Sequence, residues 1–276
     1  MKIIVITGAS DGIGAEMARQ LARAHGADVG LVLAARCEAL LNQVAGQCAA
    51  HGAQTLVVKT DVSIEPDCRR MIAAAQARFG RIDGLINNAG MSAHALFEDV
   101  KPDDLSWYEQ LMRINLWGSV WCTHAALPLL KQSRGSVVAV SSLAGLVGVP
   151  GRTAYSASKF AMTGFFEALR AEVKSAGVSV TTAYPGVVAT RTRHKGFNAA
   201  GVAAGVSGLK ESKAMPVEEC ARLILRGMVR REREVVMTNQ GKLGRWLKLI
   251  APGAVESMAL NALAHDMKPG RKNHGE

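Results

Sequence analysis

Short apolar segments rich in β-branched residues alternate along the chain with longer segments of helical periodicity. The short segments are predicted to be strands: Lys2–Ile6, Val29–Ala34, Gln54–Lys59, Gly84–Asn87, Ser136–Ser141, Val178–Ala183 and Glu234–Met237. The longer segments are predicted to be helices: Gly12–His25, Glu38–His51, Glu65–Phe79, Asp103–Lys131, Thr153–Ala176 and Pro216–Arg231. Continuously apolar strands separated by helices are typical of a parallel sheet that is covered on both faces. The pattern therefore predicts an α/β fold with one doubly wound parallel sheet of about seven strands, and a ligand crevice at the strands' carboxyl ends.

The last part of the chain carries a different pattern. Apolar residues recur there at helical spacing, interrupted by Pro252-Gly253: Leu243, Trp246, Leu247 and Ile250, then Val255, Met258, Ala259, Ala262 and Leu263. This spacing predicts two short amphipathic helices, so we divide the chain into one domain of residues 1–240 and a helical extension of residues 241–276. The extension could pack on the protein's own core, form an oligomer contact, or lie on an anionic membrane surface. We take packing on protein as the default, and peripheral membrane contact as a hypothesis motivated by Trp246 and its basic neighbours.

Length and composition agree with a large intracellular α/β domain. The chain has 276 residues, 49% of them hydrophobic, which is enough for one sizeable core. No run of 18 uncharged apolar residues predicts a transmembrane helix. The N-terminus runs directly into a strand rather than a signal peptide, so we expect a cytoplasmic protein, with a membrane-peripheral location as the alternative. The five cysteines are scattered without a C-x-x-C pair, which favours a reducing compartment and argues against a disulfide framework or a metal site.

The net charge of +10 is distributed unevenly. Residues 183–276 hold 16 basic and 8 acidic residues, so the last third supplies most of the surplus. Nucleic acid, acidic lipid or an anionic cofactor could use such a surface. We favour a solvated basic surface and expect no nucleic-acid partner.

A glycine-rich turn follows the first predicted strand. Gly8, Gly12 and Gly14, with Ser10, Asp11 and Ile13 between them, lie where that strand meets the first helix. Glycines let the backbone turn sharply and approach a pyrophosphate, which the helix N-terminus attracts. The spacing is G-x-x-x-G-x-G rather than the usual G-x-G-x-x-G, but the position at the first strand–helix junction favours dinucleotide binding over a purely structural turn.

The end of the second strand indicates which dinucleotide. An acidic residue there would hold the adenosine ribose of NAD, but the chain reads Ala34-Ala35-Arg36. A guanidinium can instead pair with a 2′-phosphate. We therefore favour NADP(H) over NAD(H), although Arg36 could simply begin a solvated helix and Asp11 places a negative charge in the same region.

Tyr155 and Lys159 form a candidate proton donor. Four residues apart, they share one face of the predicted helix. The ammonium favours the phenolate and lowers the pKa of the phenol towards working pH, as proton transfer to a reacting oxygen requires. The same pair also occurs on ordinary solvated helix faces. Asn115, inside an apolar helical pattern, needs hydrogen-bond partners, which a packing contact or a proton relay would provide.

These motifs occur together in one order. With Thr7–Gly14, Asn87–Gly90, Asn115, Ser142, Tyr155-x-x-x-Lys159 and Pro185-Gly186, the sequence resembles the short-chain dehydrogenase/reductases from about residue 2 to 240. Ser141–Gly145 and Ala154–Phe166 resemble the branch that contains hydroxysteroid dehydrogenases and 3-ketodihydrosphingosine reductases. The resemblance implies a Rossmann-type domain that binds the dinucleotide and carries out catalysis.

The resemblance also implies a role for each catalytic candidate. Tyr155 would be the general acid, and Lys159 would lower the pKa of Tyr155 and bind the nicotinamide ribose. Ser142, 13 residues before Tyr155, would hold and polarise the carbonyl, whereas Ser141 would end the strand. Asn115 would be a link in a water chain that returns protons to Lys159.

Further residues resemble the family's cofactor contacts. Asp61 and Val62 would contact the adenine ring, and Asn88, Ala89 and Gly90 would line the cofactor, while Asn87 could brace neighbouring strands. Pro185, Gly186, Val188 and Thr190 resemble the loop on the nicotinamide side. Residues 191–215 are rich in small residues and are expected to form a mobile substrate lid, with ordinary surface disorder as the alternative.

Taken together, these residues predict an NADP(H)-dependent oxidoreductase that interconverts a ketone and a secondary alcohol on an apolar, steroid-like or long-chain substrate. One alternative is a 3-oxoacyl thioester reductase. Another is a dinucleotide-sensing binding protein without turnover, although the complete Asn–Ser–Tyr–Lys set favours an enzyme. A homodimer or homotetramer is the expectation from the family.

Overall fold

A computed structural model describes residues 1–190, 195–205 and 214–267, with side chains up to residue 261. Its seven strands are β1 (Lys2–Thr7), β2 (Val29–Ala35), β3 (Gln54–Lys59), β4 (Gly84–Asn87), β5 (Ser136–Val140), β6 (Ser179–Tyr184) and β7 (Glu234–Val236). They form one sheet in the order β3-β2-β1-β4-β5-β6-β7, and every pairing is parallel. The predicted doubly wound α/β fold is confirmed, and the strand order reverses between β1 and β4, where a ligand crevice is expected.

Seven helices lie between the strands within the described residues: α1 (Gly12–His25), α2 (Glu38–Ala49), α3 (Glu65–Phe79), α4 (Ser106–Met112), α5 (Gly118–Ser133), α6 (Thr153–Glu172) and α7 (Val217–Val229). Two more, α8 (Asn239–Ile250) and α9 (Pro252–Met267), follow β7. The single helix predicted over residues 103–131 needs correction. A short 3₁₀ turn, Pro102–Asp104, precedes α4, and a π-helical turn, Arg113–Trp117, separates α4 from α5. Hydrophobic periodicity does not resolve one such wide turn, because the helix continues on both sides of it.

Two apolar layers enclose the sheet. On one face, β1 and β2 contribute Ile4, Ile6, Leu31 and Leu33, which pack with α1, α2 and α7. On the other face, Phe166 of α6 is fully buried among residues of α3, α5 and the central strands. The central strands are therefore buried on both sides, which explains their continuously apolar sequences.

The C-terminal helices lie against the loop that follows β5. Gly241 of α8 is buried so closely that an added Cβ would lie 2.3 Å from Leu143 Cδ2, and Val255 of α9 is also buried. Arg245 pairs with Glu234, and Lys248 Nζ donates to the Leu146 carbonyl at 3.2 Å. The two predicted helices are confirmed, while the division of the chain at residue 240 stays a prediction.

Part of the apolar stripe on these helices faces solvent. Trp246 is 61% and Ile250 83% exposed, and Leu243, Leu249, Met258 and Leu260 are also exposed. The helical extension therefore packs on the protein's own core with one side only, and its other side presents apolar residues to solvent. Over the residues for which coordinates are described, no helix is both long enough and apolar enough to span a membrane.

Replacing Phe166 with Ala should lower the free energy of unfolding by about 3–5 kcal/mol, because it removes a fully buried aromatic ring and leaves a cavity between the sheet and α6. Chemical denaturation measures the change. Val229→Ala removes an exposed side chain at the end of α7 and serves as the control, with an expected change within about 0.5 kcal/mol. Equal effects of the two substitutions would contradict the assignment of Phe166 to the core.

Candidate active site

The glycine-rich turn after β1 has the geometry that its sequence predicts. Gly8 and Gly12 have φ values of +68° and +54°, in the left-handed region that disfavours other residues. An added Cβ at Gly14 would lie 2.3 Å from the Gly8 carbonyl oxygen, so α1 can approach the turn only without a side chain there. Asp11 caps α1, its carboxylate accepting from the Gly12 amide at 2.7 Å.

A set of hydrogen bonds, here called the Thr7–Asn88 clamp, joins this turn to the loop after β4. Thr7 Oγ1 accepts from the backbone amides of Asn88 and Ala89, each at 3.0 Å, and Asn88 Nδ2 donates to the Thr7 carbonyl at 3.0 Å. An added Cβ at Gly8 would lie 2.9 Å from Ala89 Cα. Asn88 and Ala89 are therefore held against the glycine turn, at the switch point of the sheet.

Asn87 has a different partner from the one predicted. Its Nδ2 donates to Thr123 Oγ1 of α5 at 2.8 Å, and both side chains are buried. It thus braces β4 against a helix and not against a neighbouring strand. Asn87 is the last residue of β4, and its side chain points towards α5, a direction that its position in the sequence alone did not reveal.

The ends of β2 and β3 lie along the same crevice. Arg36 directly follows β2, is exposed, and forms no ion pair with a described residue. Asp61 follows β3, and its Oδ1 accepts from the Ser63 amide at 2.9 Å and from Ser63 Oγ at 2.7 Å. Val62 follows Asp61 in the cavity wall. The structure therefore brings one free cation and one loop-bonded carboxylate to this end of the crevice.

Helix α6 holds Tyr155 and Lys159 on its inner face. Tyr155 is half-buried, and Lys159 is buried with its Nζ 5.8 Å from the centre of the Tyr155 ring. Lys159 Nζ donates to the Val140 carbonyl at the end of β5 at 3.0 Å. Burial lowers the pKa of Lys159; Tyr155 opposes this shift, and the positive charge of Arg152 adds to it.

The two serines after β5 have different surroundings. Ser141 is buried, and its Oγ donates to the Lys159 carbonyl at 3.2 Å, fixing the strand end to α6. Ser142 is only partly buried, and its Oγ accepts from the Ala144 amide at 3.2 Å. A hydroxyl that accepts this bond keeps its proton available for another acceptor. Ser142 is thus the better placed of the two to contact a substrate oxygen.

Asn115 lies in the π turn between α4 and α5 and is fully buried. Its Nδ2 donates to the Met91 carbonyl at 3.0 Å and to Ser158 Oγ at 2.9 Å, and its Oδ1 accepts from the Met91 amide at 2.8 Å. The amide therefore fixes the loop after β4 to α6. These bonds favour the packing alternative for its side chain, and the relay role implied by the resemblance stays a prediction.

The loop after β6 completes the crevice. The Pro185 carbonyl accepts from the Leu143 amide at 3.0 Å, which ties this loop to the segment after Ser142. Val188 is buried and pairs with Met215 in an isolated bridge. Thr190 approaches the glycine turn, where an added Cβ on Gly12 would lie 3.3 Å from its Cγ2.

One cavity of about 620 Å³ connects these loops. The predicted site residues that line it are Gly8, Ser10, Asp11, Ile13, Arg36, Asp61, Val62, Asn88, Ala89, Gly90, Ser142, Tyr155, Lys159, Pro185, Gly186, Val188 and Thr190. Gly12, Gly14 and Asn115 do not line it and act through packing. An added Cβ at Gly90 would lie 3.1 Å from Asn115 Oδ1 and 3.6 Å from Lys159 Nζ. The glycine-lined floor leaves room for a flat group, so the residues present fit a dinucleotide.

Several lining residues were not singled out from the sequence. Arg152, at the start of α6, has a guanidinium 4.2 Å from the centre of the Tyr155 ring. Ser92, His94 and Lys195 also line the cavity, together with Ala259 of α9. A basic residue three positions before Tyr155 was the only available signal for Arg152, and charge alone does not distinguish an arginine that contacts the site from a solvated one. Of the predicted lid, residues 191–194 and 206–213 lie outside the described residues.

The fold and the cavity define a doubly wound dinucleotide-binding protein with a Tyr–Lys pair beside the crevice. A family model described as short chain dehydrogenase matches residues 2–201. The chain belongs to the short-chain dehydrogenase family. It is an oxidoreductase that acts on CH–OH groups with a nicotinamide dinucleotide.

Curated relatives agree with this assignment. The chain is 36% identical to 11-beta-hydroxysteroid dehydrogenase A of Sesamum indicum, covering 100% of this chain and 79% of the relative. It is 37% identical to 11-beta-hydroxysteroid dehydrogenase-like 4A of Arabidopsis thaliana, covering 91% of this chain and 81% of the relative. The resemblance to the hydroxysteroid dehydrogenase branch is therefore confirmed.

A solved structure shows the same fold. The alcohol dehydrogenase of the archaeon Thermococcus sibiricus, complexed with 5-hydroxy-NADP, superimposes with a TM-score of 0.71 over 86% of this chain and 96% of that chain. The two sequences are 23% identical. At this identity the likeness concerns the fold alone.

Proposed function

We propose that the protein is an NADP(H)-dependent reductase of ketones on largely apolar substrates, with Tyr155 as the proton donor. The observation that carries the proposal is that Ser142, Tyr155 and Lys159 line the same cavity as the glycine-rich turn and Arg36. A hydroxyl, a phenol and a buried ammonium thus share one space with the features suited to hold a dinucleotide.

The proposed chemistry follows from the polar atoms at the inner end of the cavity. Ser142 Oγ donates a hydrogen bond to the substrate carbonyl oxygen and orients it towards Tyr155. Tyr155 transfers its phenolic proton to that oxygen as the carbonyl carbon is reduced. The nicotinamide supplies the hydride when it is bound. Lys159, buried beside the phenol, stabilises the phenolate that remains until it is protonated again.

The choice of NADP(H) rests on Arg36. Its guanidinium is exposed at the end of β2 and lines the cavity, where it is available to pair with a 2′-phosphate. The first acidic residue after β3 is Asp61, and its Oδ1 already accepts two hydrogen bonds from Ser63. The T. sibiricus structure was complexed with a 5-hydroxy-NADP, which supports the same choice.

An apolar substrate suits the outer part of the cavity. Met91, Val149 and Pro150 line it on the side of Tyr155, and Ala259 closes it from α9. The relatives' names include hydroxysteroid dehydrogenases, so a steroid-like or long-chain keto compound is the substrate class we propose. A 3-oxoacyl thioester is the second candidate within the same chemistry.

Tyr155→Phe should reduce ketone reduction by at least about a hundredfold, because it removes the general acid, while leaving NADPH binding within about twofold. Steady-state kinetics with a panel of ketones and fluorescence titration of NADPH measure the two effects. Tyr184→Phe is the matched control, since Tyr184 is buried in β6 and does not itself line the cavity. Undiminished turnover in Tyr155→Phe would refute the assignment. Absence of turnover in the wild type across the panel, with NADPH bound, would favour a dinucleotide sensor.

Arg36→Asp should weaken NADP(H) binding by about tenfold or more and improve the relative use of NAD(H), because the substitution replaces a phosphate-pairing cation with an anion. The ratio of kcat/KM for the two cofactors measures the change. Arg78→Asp, on the solvated face of α3, is the control and should leave the ratio unmoved. An unchanged ratio of kcat/KM in Arg36→Asp would show that Arg36 does not bind the 2′-phosphate.

The exposed side of the C-terminal helices is proposed to contact an anionic membrane surface. Trp246, Leu249 and Ile250 present an apolar face, Lys242 lies exposed beside them, and the chain beyond residue 267 adds Lys268, Arg271 and Lys272 in sequence. Apolar insertion combined with basic charge is the usual requirement for such binding. The alternative is that the same exposed face forms the contact of a homodimer or homotetramer.

Flotation with anionic liposomes should recover the full-length protein in the bound fraction and leave a Trp246→Ser/Ile250→Ser double variant largely unbound, because the substitutions remove the exposed apolar anchors. Val229→Ser, exposed on α7, is the control and should float like the wild type. Equal recovery of all three proteins in the unbound fraction contradicts the membrane proposal. A change in oligomer size on gel filtration, found only in the double variant, would assign the face to a second copy of the chain.

A further inference from the structure

Arg152 is a partly buried cation that neither the cofactor nor the proposed proton transfer accounts for. It is the residue immediately before α6, and its guanidinium lies over one face of the Tyr155 ring, 4.2 Å from the ring centre. Lys159 Nζ is farther from that centre, at 5.8 Å. Both distances are within the range at which a cation interacts with an aromatic ring.

The guanidinium is fixed in this position by the loop after β4. Its Nη2 donates to Ser92 Oγ at 2.6 Å, and its Nε donates to the Ala93 carbonyl at 3.2 Å. The backbone of the same segments is also joined, since the Ala95 amide donates to the Gly151 carbonyl at 2.8 Å. The same loop therefore holds both the side chain of Arg152 and the backbone just before it, which fixes the guanidinium over the ring.

No carboxylate compensates for this charge among the residues that the structure describes. Arg152 forms two hydrogen bonds, both to neutral oxygens, and no ion pair. Burial lowers the pKa of Arg152, and interaction with Tyr155 raises it. A cation that has lost part of its hydration is stabilised by an accompanying anion. Tyr155 is the group on this wall of the cavity that becomes an anion when it gives up its proton.

We propose that Arg152 is a positioning residue that stabilises the phenolate of Tyr155 and, together with Lys159, sets the pH at which this tyrosine exchanges its proton. This inference rests on the proposed function of Tyr155. The two cations act from different places, Arg152 over the ring face and Lys159 from the next turn of α6. A phenolate near two fixed positive charges is favoured over the neutral phenol.

The remaining charged or titratable groups around Tyr155 come from other elements. Those that line the cavity or pack with the ring are His94 and Lys195 from loops and Tyr108 of α4, together with Asp11, Arg36, Cys37 and Asp61 at the cofactor end. Tyr108 is hydrogen-bonded through its hydroxyl to Thr153 Oγ1 at 2.7 Å. Among the described cations around Tyr155, only Arg152 lies within 5 Å of the centre of its ring; Lys159 Nζ lies at 5.8 Å.

Direct titration of Tyr155 tests the proposal without relying on turnover. The chain has three tyrosines, so the ultraviolet difference between each protein and its Tyr155→Phe counterpart isolates the phenolate of Tyr155. Arg152→Gln, which removes the charge, should raise the titration midpoint by about one pH unit or more, the effect expected of a cation within a few ångström. Arg152→Lys should retain most of the wild-type midpoint.

The pH profile of alcohol oxidation provides the second measurement. Oxidation requires the phenolate as the base, so the ascending limb in Arg152→Gln should move to higher pH by the same amount as the titration midpoint. Arg78→Gln removes another arginine that lies over an aromatic ring, 5.0 Å from the centre of Phe79, and should change neither quantity. An unshifted midpoint in folded Arg152→Gln would overturn the inference, even if Tyr155→Phe has abolished turnover and so supported the proposed function.

A further variant keeps the test decisive if Arg152→Gln does not fold. Lys159→Met leaves Arg152 as the one cation over the ring, and the Tyr155 midpoint should then stay below the value of about 10 for a free tyrosine. A midpoint at or above that value would show that Arg152 does not stabilise the phenolate. Circular dichroism of each variant at the start of the titration establishes that the compared proteins are folded.

Discussion

The Thr7–Asn88 clamp is the contact on which the whole crevice depends. β1 and β4 are adjacent in the sheet and end side by side there. The Thr7 hydroxyl accepts two amide hydrogen bonds from Asn88 and Ala89, which directly follow β4 and lie 81 and 82 residues later in the chain. The close approach of the two loops requires glycine at positions 8 and 14 as much as any ligand does, since an added Cβ on Gly14 would lie 2.6 Å from Asn88 Nδ2. The irregular glycine spacing is therefore explained by protein packing, and the space for a dinucleotide follows from it.

The inner end of the crevice is built on a second constraint, the burial of Lys159. A buried ammonium needs acceptors, and the end of β5 provides one in the Val140 carbonyl. Ser141 in turn donates to the carbonyl of Lys159, so β5 and α6 hold each other through the residue that carries the charge. This contact between β5 and α6 positions Ser142 and Tyr155, so that the hydroxyl and the phenol line the same cavity.

The sequence predicted the sheet well because each buried strand is a short, continuously apolar segment bounded by turn residues. β3 and β4 have the predicted bounds, and the ends of the other five strands differ from the predicted ends by at most one residue. Helical periodicity, in contrast, could not reveal the π turn at Arg113–Trp117, since the amphipathic pattern continues through it. That turn carries Asn115, so the site residue was predicted while its local backbone was not.

Arg152 and Asn87 illustrate a second limit of prediction. The direction of a side chain depends on where two loops meet, and neither residue's neighbours in sequence show that meeting. Arg152 reads as one more basic residue in a chain of net charge +10, yet it is held over Tyr155 by a loop some sixty residues earlier. Tertiary contacts of this kind decide which charges belong to the site.

The five cysteines, all within the described residues, have a consequence for the reactivity of the whole protein. Burial raises the pKa of Cys48 to about 11 and that of Cys220 to about 12, and a hydrogen bond with Cys68, together with burial, raises the pKa of Cys122. Cys37 is the one exposed thiol, and it lines the cavity next to Arg36. A thiol-alkylating reagent therefore meets its one exposed thiol in the wall of the crevice, and a covalent label there would occupy space that a dinucleotide needs.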